Sequence, residues 1–385
     1  MKKKIAIFST SRADYSHLYW LIEKIKIEKS FNCSLYISGS HLEKKYGYSY
    51  LNINRKKINT IKRIKLLHKG DKPEHISNTL SDGIKKFTNV LKKSKPDLVI
   101  LLGDRFEVLA AAIASTILKI PVAHLNGGES TQGAFDEWIR HSISKISSIH
   151  FVANNEYKKR LIQLGENPNT IFNVGGLSSD NVIKTKYVSK NYLIKKLNLS
   201  FNKKNVLVTY HPVTLEREKS SVLFKNLMFA LNKLNETNVF FTSPNTDTDN
   251  YDIYNIIKKN TKKSGNFYFF KNLGRINYLS LMSYCDAVIG NSSSGILEAP
   301  YLNTFTINVG NRQLGRKKFK SVYDVDDNKL KILKKIKFVL SKKKNKSSLN
   351  ELQNFYGLGR TAENICKILK KNNFNFNLKK KFFDL

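Results

Sequence analysis

Residues Leu98 to Leu118 read LVILLGDRFEVLAAAIASTIL, and the fold follows from the change of character halfway along. Leu98 to Leu102 is an unbroken apolar run, the signature of a strand buried on both faces of a parallel sheet. Gly103-Asp104-Arg105 breaks it, and Phe106 to Leu118 continues as a helical stretch. A strand that feeds directly into a helix is half of a βαβ unit. The same rhythm extends outward through strands predicted at Ile5 to Thr10, Cys33 to Ser38, Val122 to Asn126, His150 to Ala153 and Ile171 to Val174, with a further helical stretch at Glu137 to Ile146. It restarts at Val206 to Tyr210 and runs through Val239 to Thr242, Phe267 to Phe270, Ala287 to Ile289 and Phe305 to Asn308.

Between the two series lies a Lys- and Asn-rich stretch, Lys184 to Lys204, which reads as a domain boundary. A chain of 385 residues exceeds what one hydrophobic core supports. The expected fold class is therefore α/β, two Rossmann-like domains with a cleft between them. Residues 1–185 form the first domain and 200–360 the second, and 361–385 form a terminal helix and tail that could cross back to the first.

Composition narrows the function classes. Hydrophobic residues make up 41% and aromatics 11%, which excludes a mainly disordered chain. No apolar run is long enough for a membrane span, and the opening MKKKIAIFST runs straight into a strand pattern, so a cytoplasmic protein with no membrane partner is expected. Cys33, Cys285 and Cys366 lack metal-ligand spacing and are too few for a disulfide framework. The 67 Lys+Arg against 30 Asp+Glu give a formal charge of +37. That excess is mostly Lys spread beside abundant Asn and Ile, a bias an AT-rich genome produces by itself, and no nucleic-acid-binding motif accompanies it. No nucleic-acid partner is expected.

In open parallel sheets, ligands gather at the carboxyl ends of the strands. Those ends hold the unusual residues of this chain. Thr10-Ser11-Arg12-Ala13-Asp14-Tyr15-Ser16 suits a phosphate or sugar hydroxyl, or is an ordinary turn capped by Asp14 or Ser16. Gly103-Asp104-Arg105-Phe106-Glu107 puts a carboxylate and a guanidinium at the sheet edge. His124-Leu-Asn126-Gly127-Gly128-Glu129 precedes a helix opening Asp136-Glu137-Trp138-Ile139-Arg140, in which Asp136 and Arg140 either face one cleft or form a surface pair. Four carboxylates at neighbouring strand ends, Asp104, Glu129, Asp136 and Glu137, shift one another's titration and make acid/base pairs. Tyr210-His211-Pro212 offers a general acid or phosphate ligand after the first strand of the second series. Gly290-Asn291-Ser292-Ser293-Ser294-Gly295, read as opening a helix that carries Glu298, offers bare amides and hydroxyls to a diphosphate.

The ordered set SRADY, GDRFE, HLNGGE, DEWIRHSISK, YHPVT, SPNTD, GNSSSGILEAP and NVGNRQLGR resembles the UDP-N-acetylglucosamine 2-epimerase family over nearly the whole chain. It is most similar to the hydrolysing branch, which supplies sialic and legionaminic acid precursors. The resemblance implies a glycosyltransferase-B-type fold, with sugar chemistry in the first domain and UDP in the second. It implies no cofactor and no metal, and conversion of a UDP-2-acetamido sugar to UDP and the free 2-epimeric sugar through a glycal. By motif, Asp104, Asp136 and His211 look like the family's catalytic residues, and Arg12, Ser292, Ser293, Glu298 and Arg312 like its nucleotide-sugar ligands. Ser16, Arg105, Arg140 and Asn245 complete the expected substrate contacts, and a homo-oligomer, dimer or tetramer, is expected. Two positions depart from the family pattern. Asn126 stands where several members carry a catalytic Glu, so its role would pass to Glu129 or Glu137, and His17 stands where some relatives carry Lys. A non-hydrolysing 2-epimerase and a glycosyltransferase of the same fold stay open as alternatives.

Overall fold

The computed structural model of the chain describes residues 2–68, 70, 72–216, 218–344 and 349–385. The backbone forms two compact units. Residues 1–129, 136–183 and 355–385 make up the first, and 130–135 with 184–354 the second.

The first unit is a seven-stranded sheet of β1 (Lys3–Ser9), β2 (Phe31–Ile37), β3 (Thr60–Arg63), β4 (Leu98–Leu102), β5 (Val122–Leu125), β6 (Ile149–Val152) and β7 (Ile171–Asn173). Its order is β3-β2-β1-β4-β5-β6-β7, with every pair parallel. Helices α1 (Arg12–Ile25), α2 (Pro73–Ser94), α3 (Phe106–Ile117), α4 (Asp136–Ile146), α5 (Asn155–Gln163) and α6 (Leu177–Ile183) connect and cover the strands. Successive strand residues point to opposite faces, and both faces are buried. Ile5, Ile7, Leu98, Ile100 and Leu102 share one core with α1, while Ala6, Phe8, Val99 and Leu101 enter another with α2 and α3. Two buried faces explain why β1 and β4 read as continuous apolar runs.

The chain's end completes this unit. The helix Thr361–Asn372 packs on α1, burying Ile365, Cys366 and Leu369. Its first amides are capped from another element: the fully buried Asp180 of α6 accepts from the N–H of Thr361 and of Ala362, both at 2.8 Å. Cys366, Cys33 and Cys285 are all buried thiols, and burial pushes Cys33 up to about 12, which leaves it unreactive.

The second unit repeats the plan with six strands: β8 (Lys204–Thr209), β9 (Thr237–Thr242), β10 (Phe267–Phe270), β11 (Ala287–Gly290), β12 (Phe305–Val309) and β13 (Val322–Val325). The order β10-β9-β8-β11-β12-β13 is the same winding as in the first unit, again all parallel. Val206, Val208, Ala287 and Ile289 face one core, and Leu207 and Val288 the other. Two strands escaped the sequence reading, β3 (TIKR) and β13 (VYDV), and both lie at a sheet edge. With one neighbour and partial exposure, an edge strand needs no apolar run and leaves none to read.

Candidate active site

Each sheet has one place where the strand order reverses, between β1 and β4 in the first unit and between β8 and β11 in the second. Such switch points are where open α/β sheets bind ligands. The loops leaving these four strands carry most of the candidate residues.

At the end of β1, Ser11 is the N-cap of α1, and its hydroxyl accepts from the Asp14 N–H at 3.2 Å. Asp14 reaches back to the N–H of Thr10 (3.0 Å) and Ser11 (2.9 Å) and to the Thr10 hydroxyl (2.6 Å). The capping box therefore runs from Ser11 to Asp14. Ser16, weighed as a possible cap, instead accepts from Asn181 Nδ2 at 3.0 Å. Arg12 occupies the first position of α1, half-buried, at the switch point. Behind it lies His41, which the sequence reading passed over. Its ring is fully buried between the hydroxyls of Ser9 (2.9 Å) and Ser49 (2.7 Å), and burial lowers it to about 4, so it is neutral near pH 7. The signal available was the polar break Ser38-Gly39-Ser40 after β2.

After β4, Asp104 meets the guanidinium of Arg140, which arrives from α4. Arg140 is 1% exposed and also bonds the Glu137 carboxylate at 2.9 Å and the Glu129 carbonyl at 3.2 Å. Expected as a substrate contact, Arg140 instead faces protein carboxylates, because a buried guanidinium must spend its fork on fixed acceptors. It gathers the Asp104 and Glu137 carboxylates and the Glu129 backbone at one point, and Asp136, half-buried, opens the same helix. Arg105 likewise turns onto protein: its Nε bonds Glu107 at 3.1 Å. Glu107 is fully buried, and burial raises its carboxyl while Arg105 pulls it the other way. Beneath this cluster, His124 donates through Nε2 to the Gly103 carbonyl at 2.8 Å, and its Nδ1 lies 3.0 Å from the Ser144 hydroxyl. Burial lowers His124 to about 3. Asn126, the departure from the family pattern, has φ of 63°, a left-handed conformation that Asn tolerates and Glu does not favour.

At the second switch point the organiser is Asn291, which is fully buried. Its Oδ1 accepts from the His211 N–H at 2.7 Å, and its Nδ2 donates to the His211 carbonyl at 2.8 Å. Its own carbonyl accepts from Arg312 at 3.3 Å and Gln313 at 2.9 Å, so one residue ties together the loops after β8, β11 and β12. The Asn245 N–H donates to His211 Nδ1 at 3.1 Å, so a neutral His211 carries its ring proton on Nε2. Sequence reasoning included Asn291 only as part of a loop. Gly290 has φ of 136°, and a Cβ there would collide with the Thr209 carbonyl, so the β11 end passes against β8 only as glycine.

The helix expected from the serine run is a single turn, Ser294–Leu297, followed by the 3-10 turn Ala299–Leu302 with Pro300. Glu298, expected further along a helix, sits at their junction, 3% exposed. With one turn carrying little macrodipole, what this segment can offer an anion is amides and hydroxyls. The Ser294 hydroxyl lies 2.6 Å from the Tyr278 hydroxyl and 3.3 Å from that of Ser292. Among the described residues no group of three or more His, Cys, Asp or Glu side chains is placed to hold a metal ion.

Two Rossmann-like units of the same winding, each with ionisable and polar side chains at its switch point, make up the glycosyltransferase-B-type architecture. The family described as UDP-N-acetylglucosamine 2-epimerase matches residues 23–370. Among individual relatives, the GDP/UDP-N,N'-diacetylbacillosamine 2-epimerase (hydrolyzing) of Campylobacter jejuni is 38% identical over 86% of each chain. The UDP-N,N'-diacetylbacillosamine 2-epimerase (hydrolyzing) of Legionella pneumophila is 34% identical over 96% of each. The crystal structure of the Methanocaldococcus jannaschii UDP-GlcNAc 2-epimerase with UDP-GlcNAc and UDP shares the fold, with a TM-score of 0.76 at 21% identity over 96% of this chain and 99% of that one. This chain belongs to the UDP-N-acetylglucosamine 2-epimerase family.

Proposed function

We propose that this enzyme is a hydrolysing 2-epimerase that converts a UDP-2-acetamido sugar to UDP and the free 2-epimeric, mannose-type sugar. UDP-2,4-diacetamido-2,4,6-trideoxyglucose is the preferred substrate and UDP-N-acetylglucosamine the second. The hydrolysing activity and the diacetamido sugar in the names of the two relatives at 38% and 34% identity support this order. The observation that carries the chemistry is Arg140 drawing Asp104, Glu137 and the Glu129 backbone together at the end of β4.

In this reading the C1–O bond breaks and its electron pair leaves with the diphosphate. A carboxylate of the Asp104, Glu129, Asp136 and Glu137 set removes the C2 proton, giving a glycal. Water then adds its oxygen to C1, and a proton returns to C2 on the opposite face. Two faces of the ring require two proton-transfer groups, which one carboxylate cannot supply. Arg12 and Ser16 serve as sugar or phosphate contacts in the first unit. In the second, Nε2 of His211, Arg312 and the amides around Ser292 and Ser293 stabilise the leaving diphosphate, and Glu298 and Asn245 hold the nucleoside side. No described helix is long and apolar enough to cross a membrane. A cytoplasmic homo-oligomer, dimer or tetramer, working in sialic or legionaminic acid precursor synthesis completes the proposal.

Turnover in D2O and in H2(18)O tests it. The expected product carries deuterium at C2, the heavy oxygen enters the sugar, and the released UDP stays unlabelled. Product without deuterium at C2 overturns the elimination route and puts a glycosyltransferase in its place. Deuterated sugar returned to UDP, with no free UDP accumulating, identifies a non-hydrolysing 2-epimerase.

A further inference from the structure

Away from the strand ends, the first unit buries a charge cluster that the proposed chemistry does not use. Glu166 follows α5 with its side chain fully buried. Its carboxylate accepts from His150 Nε2 at 2.9 Å, from Lys145 at 2.8 Å and from Lys380 at 2.5 Å. Burial alone would raise this carboxyl, but the three donors outweigh it and hold it at about 2. Glu166 is therefore ionised throughout the neutral range.

Lys380 comes from the last stretch of the chain and makes a second set of contacts. Its ammonium donates to the carbonyls of Lys145 and Ser147, both at 2.8 Å, at the carboxyl end of α4. Unpaired carbonyls at a helix end carry partial negative charge, and a cation seated on them caps the helix. The surrounding tail is fixed as well. The Phe383 N–H donates to the Gly165 carbonyl at 3.0 Å, and the Phe382 ring lies 4.9 Å from the Lys145 ammonium.

The capped helix is the one that matters. α4 opens with Asp136 and Glu137 and carries Arg140 one turn later. Its segment just upstream, Ser130–Phe135, packs within the second unit. Ile143 packs α4 into the core, and the bonds of Arg140 to Asp104 and to the Glu129 carbonyl and of Ser144 to His124 restrain it directionally along its length. The Lys380 bonds to its last carbonyls add the directional restraint at the far end. At eleven residues the helix is a rod of roughly 16 Å, so displacement at one end is transmitted to the other.

We propose that Lys380 is a positioning residue for the 2-epimerase reaction: seated between Glu166 and the end of α4, it sets the rotation and register of the helix that presents Asp136, Glu137 and Arg140. This rests on the function proposed above. Among the described residues, Lys380 touches no candidate substrate-binding group.

The test compares Lys380→Met, which keeps the length and apolar stem, with Lys380→Arg, which keeps the charge, and with Lys380→Gln as a milder variant should Lys380→Met fold poorly. In Lys380→Met, kcat is expected to fall about 10- to 100-fold, the scale of an ångström-sized misplacement. KM and UDP affinity by calorimetry should stay close to the parent values, Tm should fall with the broken Glu166 pair, and Lys380→Arg should recover most of kcat and of Tm. Unchanged kcat overturns the proposal. So does a loss shared by kcat, UDP affinity and Tm that Arg does not rescue, which marks a general stability role. Hydrogen–deuterium exchange of the Asp136–Ile146 amides needs no turnover and separates the two failures. If the parent enzyme places no deuterium in any sugar, the functional reading falls. Faster α4 exchange in Lys380→Met still supports the clamp, and unchanged exchange overturns it.

Discussion

Asn291 and His211 hold each other by reciprocal hydrogen bonds, the His211 N–H to Asn291 Oδ1 at 2.7 Å and Asn291 Nδ2 to the His211 carbonyl at 2.8 Å. The pair fixes the His211 backbone, and the Asn245 N–H then fixes its ring. Asn291→Ala should lower kcat by at least an order of magnitude and cost about 1–3 kcal/mol of stability, because two buried groups lose their partners. Asn291→Asp keeps the acceptor and loses the donor, so it should fall between. Steady-state kinetics with urea denaturation checks both, and an Ala variant with parental kcat would remove Asn291 from the site.

Asp104, bound by Arg140, and Asp136, at the start of the same helix, make a second prediction. Asp104→Asn and Asp136→Asn should each lower kcat by about two to four orders of magnitude, the scale for losing a general acid or base, with UDP affinity nearly unchanged. Calorimetry beside kinetics separates these effects. Equal losses in UDP binding would assign the two residues to the nucleotide instead.

Asn126 supplies a sharper probe. At a φ of 63° a Glu pays about 1–2 kcal/mol for the left-handed backbone, so Asn126→Glu should be less stable than the parent and no faster. Glu137→Gln should be severe, about two to four orders in kcat, since Glu137 shares the Arg140 guanidinium with Asp104. A gain in rate from Asn126→Glu would show that the missing carboxylate has no substitute.

Stability should fall with acid before carboxylates titrate. His41 and His124 are held at about 4 and about 3 in the folded chain, below the ordinary 6.5, because burial disfavours their charged forms. Unfolding lets them take up protons, so their contribution is intact above about 6.5 and is lost as pH falls toward the folded values. Between pH 7.5 and 5.5 each should remove about 1.4 kcal/mol. Urea midpoints at the two pH values measure this, and His124→Asn should flatten the slope. An unchanged slope would mean His124 titrates alike in both states.

Much of the fold was legible because strands buried on both faces write themselves as apolar runs: β1, β4, β8 and β11 stand out in the sequence. The polar breaks after those strands pointed to Asp104, His211 and Ser292 by the same logic. What stayed hidden depended on long-range partners. Nothing local tells that Arg140 buries itself against Asp104, 36 residues away, or that Asn291 meets His211 across 80 residues. The serine run predicted more helix than exists, because Pro300 and Glu298 end it after one turn. Edge strands β3 and β13 carried too little apolar pattern to register.

The discontinuous make-up of the first unit orders events during synthesis. Residues 184–354 leave the ribosome as one stretch with their own sheet and cores, while the first unit still lacks the helix Thr361–Asn372 that Asp180 caps. Until that helix emerges, the face of α1 that it will cover is open to water, and the buried Asp180 carboxylate lacks its two amide donors. The unit on the N-terminal side is thus completed after the other, so a premature stop just before Thr361 would spare the later-made sheet and strand the earlier one as a chaperone or protease substrate.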